Sequence, residues 1–89
     1  MSKLLSITYY LLSIICIGSA SAQSNAEFFA QAGSAYNRGD WQEAIDNYRR
    51  ILSKGEASAS LYYNLANAYY KTEDVAHSIY YYEKALELS

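Results

Sequence analysis

The segment Leu61-Tyr62-Tyr63-Asn64-Leu65-Ala66-Asn67-Ala68-Tyr69-Tyr70-Lys71 places its apolar residues at helical spacing. Tyr62, Leu65, Ala66 and Tyr69 stand at i, i+3, i+4 and i+7, which is one face of an α-helix. Neither glycine nor proline interrupts the run. Moved by 34 residues against itself, the sequence sets Ala66 on Ala32, Tyr70 on Tyr36, Asp74 on Asp40, Ile79 on Ile45, Tyr82 on Tyr48 and Leu86 on Leu52. A period of 34 residues is the length of one helix–turn–helix unit of a solenoid. Such a unit cannot bury its apolar face alone, so units stack.

Four helices follow outward from this segment. The first is expected over residues 26–37, with Phe28, Ala32 and Ala35 inward. Arg38-Gly39 ends it, glycine being suited to a C-terminal turn. Asp40 is placed to cap the second helix, 41–53, with Glu43 three residues on as in a capping box. Trp41, Ala44, Ile45, Tyr48, Ile51 and Leu52 form its apolar stripe, and Gly55 closes it. Residues 56–58 are small and polar, as in a loop between units. The third helix spans 59–71, and Thr72-Glu73 turns into Asp74, a second cap. The fourth, 75–88, presents Val75, Ser78, Ile79, Tyr82, Ala85 and Leu86. Tyr48, Tyr62, Tyr69 and Tyr82 are assigned to the core from their periodicity. Tyr80-Tyr81-Tyr82 has local strand propensity, which the surrounding 3.6-residue period overrides.

Residues 1–22 read as an export signal. Lys3 supplies a basic start, residues 4–18 carry no charge, and Ala20-Ser21-Ala22 offers a small-x-small cleavage site before Gln23. The alternative is an uncleaved membrane anchor, for which the apolar run is shorter than the ~20 residues of a spanning helix. Cys16 is the single cysteine, and Ile15 before it is unlike the small residue that precedes an acylated cysteine. Cleavage leaves a chain without disulfide, thiol or cysteine–metal chemistry. The organisation expected is a signal at 1–22, a linker at 23–25, a first unit at 26–55 and a second at 56–89.

Of the seven basic residues, Lys3 falls in the signal, leaving six against nine acidic ones and a net charge of −3 for the rest. Arg38, Arg49, Arg50, Lys54, Lys71 and Lys84 are scattered, so no basic stripe suits a nucleic-acid backbone. His77, the sole histidine, reads as a solvated helix residue rather than a ligand or base. Glu43 and Asp46 read as exposed ion pairs with Arg49 and Arg50. There is no phosphate loop, metal motif or nucleophile elbow. The residues therefore point to no enzyme, metal or cofactor, and a small exported hydrolase or metal enzyme is the reading with least support.

The aligned positions, from Ala32, Tyr36, Gly39, Trp41, Ala44, Tyr48 and Leu52 to Ala66, Tyr70, Val75, Tyr82 and Ala85-Leu86, resemble the tetratricopeptide repeat family. The departures are Ser78 where alanine is usual and Glu73 where the first unit has Gly39. This resemblance implies an all-α chain of two units, the start of a right-handed α-solenoid, serving as a protein-binding scaffold. It also implies a concave groove for a peptide or partner domain. The groove residues expected from it are Phe29, Tyr36 and Asn37 in the first unit, and Tyr63, Asn64, Asn67, Tyr70 and Lys71 in the second. Ala26, Ala30, Gly33 and Ser60 share those faces. A basic clamp for a terminal carboxylate is not implied, because the lysines it requires are absent.

A narrower resemblance joins the leader, Asp40-Trp41-Gln42-Glu43-Ala44-Ile45 and the segment 61–71. Together these are similar to the exported tetratricopeptide component of Bacteroides aerotolerance operons. That likeness implies a periplasmic cell-envelope complex in association with membrane proteins. The sequence stops one residue before the family's frequent proline and without a capping helix. It is therefore expected to be the opening portion of a longer scaffold. The alternative is a self-assembly module pairing through Val75, Ile79, Tyr82 and Leu86.

Overall fold

The structure is a computed structural model and describes residues 23–89. The export segment, its cleavage site, Cys16 and the anchor alternative lie outside the described residues. The described chain is all-α: α1 (Asn25–Arg38), α2 (Trp41–Ser53), α3 (Ala59–Lys71) and α4 (Val75–Leu88). α1 packs on α2 and α3 on α4, and α2 joins the two pairs by packing on α3.

Local chemistry sets the ends. Ser24 caps α1, its Oγ accepting from the Glu27 N–H at 3.2 Å, so the helix begins one residue before the position expected. Asn25 and Gln23 also contact the loop that follows α2. Asn25 Nδ2 donates to Glu56, and Lys54 Nζ donates to the Gln23 carbonyl at 2.8 Å. At the other end Gly39 adopts φ +83°, its N–H bonding Tyr36 O while Asp40 N–H bonds Ala35 O. The second unit reproduces this Schellman turn with Glu73 at φ +65°, Glu73 N–H bonding Tyr70 O and Asp74 N–H bonding Tyr69 O.

The capping box expected at Asp40 does not form. Arg38 takes both carboxylates, Asp40 at 3.3 Å and Glu43 at 2.9 Å, and the Asp40 side chain makes no bond to the helix. A guanidinium bonds a carboxylate more strongly than a neutral N–H does. In the second unit Thr72 stands where Arg38 stands in the first. There Asp74 is free to cap, and it accepts from the His77 N–H at 3.2 Å. The pairing of Glu43 and Asp46 with Arg49 and Arg50 is also corrected. Asp46 accepts from Gln42, while Arg49 reaches the Tyr69 hydroxyl and Arg50 reaches Asn47.

Phe28, Ala32, Ala35, Ala44, Ile45, Tyr48, Ile51, Leu61, Leu65, Ala68 and Tyr69 make one continuous core. α3 buries two stripes. Leu65, Ala66 and Tyr69 follow the face read from periodicity, and Leu61 and Ala68 form a second with Leu65 shared between the two. One stripe suffices for a helix pair, whereas a helix lying between two pairs needs both. The residues of α1 that match the second stripe at the 34-residue offset are Glu27, Gln31 and Ser34, all exposed. The outer side of α1 is thus polar.

Two tyrosines assigned to the core sit differently. Tyr62 and Tyr82 are half-buried. Tyr62 stacks on Tyr81, which stacks in turn on Tyr69, with centroids 5.9 and 5.6 Å apart. Tyr81 rather than Tyr82 is the ring of α4 packed against the core. The remaining α4 stripe is open. Ile79 is 53% exposed, against 2% for its counterpart Ile45, and Leu86 is 72% exposed.

Candidate partner-binding groove

α1 and α3 lie side by side across α2, and the hollow between them is a pocket of about 250 Å³. Phe29, Gly33, Tyr36 and Asn37 line it from α1, Tyr48 from α2, and Asn64 and Asn67 from α3. Each reaches the hollow through its helix register. Phe29, Gly33, Tyr36 and Asn37 are spaced four, three and one along α1, and Asn64 and Asn67 three apart along α3, so each set shares a face.

Five of the eight expected groove residues, Phe29, Tyr36, Asn37, Asn64 and Asn67, meet at this pocket. Tyr63, Tyr70 and Lys71 lie beyond its lining. Tyr63 is 54% exposed and its ring leans on Tyr82 at 5.8 Å. Tyr70 is 62% exposed. The Lys71 ammonium sits 5.6 Å from the Trp41 ring centroid, a cation–π contact that holds it at the edge of the first unit.

Two further residues complete the lining: Tyr48, expected only in the core, and Gly33, expected on the groove face of α1. Tyr48, buried as expected, also forms part of the pocket wall, with its ring edge-on to Phe29 at 5.6 Å. Gly33 leaves the space open, since nothing lies within 4 Å of where its Cβ would be. The offset itself carried this signal, because Gly33 aligns with Asn67.

No charged side chain lines the pocket. Burial, followed by the neighbouring Tyr36, raises the Tyr48 pKa above 10.0, so its hydroxyl is neutral at ordinary pH. Tyr36 is steadied by an edge contact to Trp41 at 5.1 Å. On α3, Asn67 Oδ1 accepts from the Tyr82 hydroxyl, which fixes the amide and leaves its N–H pair as the group to offer a ligand. Aromatic walls with amide donors and acceptors at the edge suit an uncharged chain of peptide groups. Among the described residues, no three His, Cys, Asp or Glu side chains gather to hold a metal, and no helix is long and apolar enough to cross a membrane.

Consistent with these helix pairs, a comparison with protein families matches Tetratricopeptide repeat over residues 29–89. The chain belongs to the tetratricopeptide repeat family, whose domains are generally protein–protein interaction modules and typically non-catalytic. No curated protein matches the chain.

Proposed function

We propose that this chain is an exported scaffold whose hollow between α1 and α3 holds an extended peptide or a loop of a partner protein. The observation that carries this reading is the convergence of Tyr36, Asn37, Asn64 and Asn67 on one uncharged concavity. Asparagine supplies both a donor and an acceptor to a peptide backbone. Tyrosine gives contact area at small entropic cost and is enriched where binding energy concentrates. Export rests on the charge pattern, apolar run and small-x-small site of residues 1–22, with an uncleaved anchor as the alternative. The resemblance to the tetratricopeptide component of aerotolerance operons suggests a periplasmic envelope complex that includes membrane proteins.

The test is affinity capture from envelope extract with the wild-type chain and with Asn64→Ala/Asn67→Ala, two residues of the hollow. Loss of a captured partner with helicity retained supports the groove. Capture unchanged in the folded double variant sinks it.

A second reading is favoured by one contrast. Ile45 and Tyr48 are buried beneath α3, whereas of their counterparts Tyr82 is only half-buried and Ile79 is exposed together with Val75 and Leu86. On this reading α4 pairs with a second copy. Head-to-tail stacking on α1 would set apolar residues against Glu27, Gln31 and Ser34, so the pairing would be α4 on α4. Sedimentation equilibrium over a hundredfold concentration range decides it, and a monomer throughout removes it.

A further inference from the structure

Gly33 stands inside α1, in ordinary helical conformation, with nothing within 4 Å of a Cβ built on it. Neither backbone conformation nor packing calls for glycine there. Glycine inside a helix is less favourable than alanine, because it has more conformational freedom to lose on folding. The fold thus carries a weaker residue at this point, and the result is space. The second unit shows the same place filled. Asn67 stands at the 34-residue offset and takes the hydroxyl of Tyr82, the counterpart of Tyr48.

We infer that the space over Gly33 is an anchor pocket for one bulky, uncharged side chain, aromatic or aliphatic, of the bound peptide. This rests on the groove reading above and narrows it to a class of ligand. Phe29, Tyr36 and Tyr48 supply aromatic walls, and Asn37, Asn64 and Asn67 complete the lining. The volume of about 250 Å³ is below the ~300–1,000 Å³ of sites that enclose a drug-sized molecule and suits a single side chain. A lysine or glutamate entering would lose hydration and meet no countercharge. The asparagine amides are placed to bond the peptide groups on either side of the anchor.

The experiment is an NMR titration of the ¹⁵N-labelled full chain with capped peptides Gly-Ser-Xaa-Ser-Gly, where Xaa is Phe, Leu, Lys or Glu. The Phe and Leu peptides should shift the Gly33 amide and the Asn64 and Asn67 side-chain amides, and bind at least tenfold more tightly than the Lys and Glu peptides. Gly33→Asn, which copies the second unit, and Gly33→Ala should each weaken the Phe peptide at least fivefold. Gly33→Ala should meanwhile raise Tm by roughly 4–8 °C, which separates lost binding from lost folding. Equal binding of all four peptides, or full affinity in Gly33→Asn, overturns the anchor pocket. If Asn64→Ala/Asn67→Ala abolishes that binding, the groove stands and the pocket alone falls. Absence of any shift at the groove residues overturns both.

Discussion

The Tyr82 hydroxyl donates to Asn67 Oδ1, joining the outer helix α4 to the groove face of α3. The same Tyr82 ring leans on Tyr63 as Tyr48 does on Phe29, with centroids 5.8 and 5.6 Å apart. The aromatic pair therefore repeats between units while the hydrogen bond does not, because Gly33 stands in the place of Asn67. One substitution along the repeat decides whether the helix pair is tied by an amide or left with a cavity.

Removing that hydroxyl should cost about 0.5–1.5 kcal/mol, the usual worth of a hydrogen bond. Tyr82→Phe keeps the ring and its contact with Tyr63, so urea unfolding reads the bond alone. Asn67→Ala combined with Tyr82→Phe should cost less than the sum of the two. Strict additivity would show that the bond contributes nothing.

The two Schellman turns predict opposite responses. Glu73 holds φ +65° where Gly39 holds +83°, and a residue with a Cβ is strained there by about 1–2 kcal/mol. Glu73→Gly should stabilise by about 1 kcal/mol, and Gly39→Ala should destabilise by about 1–2 kcal/mol. The Gly39 effect is backbone strain, since the nearest atom to an added Cβ is Trp41 Cζ2 at 3.8 Å, an ordinary contact. Thermal melts of both variants check the pair of signs.

Leu65 and Leu86 separate core from open face. Leu65 is fully buried between the two helix pairs and Leu86 is 72% exposed. Leu65→Ala should cost ~2–5 kcal/mol, and Leu86→Ala should stay within ~0.5 kcal/mol. If Leu86→Ala proves as costly as Leu65→Ala in a concentration-dependent way, α4 is covered in solution by a second copy.

Stability should fall in alkali. Burial, as the largest cause, raises the pKa of Tyr48, Tyr81 and Tyr82 above 10.0. Below that value each is neutral in both the folded and the unfolded chain, and its contribution is intact. As pH rises above 10.0 the unfolded chain releases the proton first, so the folded chain loses stability up to the raised pKa. Urea midpoints from about pH 8 to about pH 11 should decline beyond pH ~10, and less steeply in Tyr48→Phe and Tyr81→Phe. An identical slope in those variants would place the loss elsewhere.

Period and patterning alone located α2, α3 and α4 to the residue and α1 to within one at each end, because a 34-residue offset checks every turn twice. They also found Phe28, Ala32, Ala35, Ala44, Ile45, Tyr48 and Ile51 as core. Five groove residues expected from the family frame came together at one pocket, for the same reason. The misassignments have a common source. Tyr62, Tyr81 and Tyr82 all lie within reach of a buried face, and the ring that goes inward is Tyr81, which stacks between Tyr62 and Tyr69, while Tyr82 leans on Tyr63. Asp40 and Asp74 look alike in sequence, and only the arginine at 38 distinguishes them.

By itself, then, the sequence determined an all-α chain of two stacked helix pairs with one shared face, since helical period and repeat length are properties of the chain in one dimension. The tertiary structure decided the rest. It alone showed that α3 is buried on two sides while α1 is polar outside, that Arg38 removes Asp40 from its cap, and that Gly33 opens a pocket against Tyr48. Each of these depends on which side chains from different helices arrive at the same point, and periodicity along one helix carries no information about its neighbour.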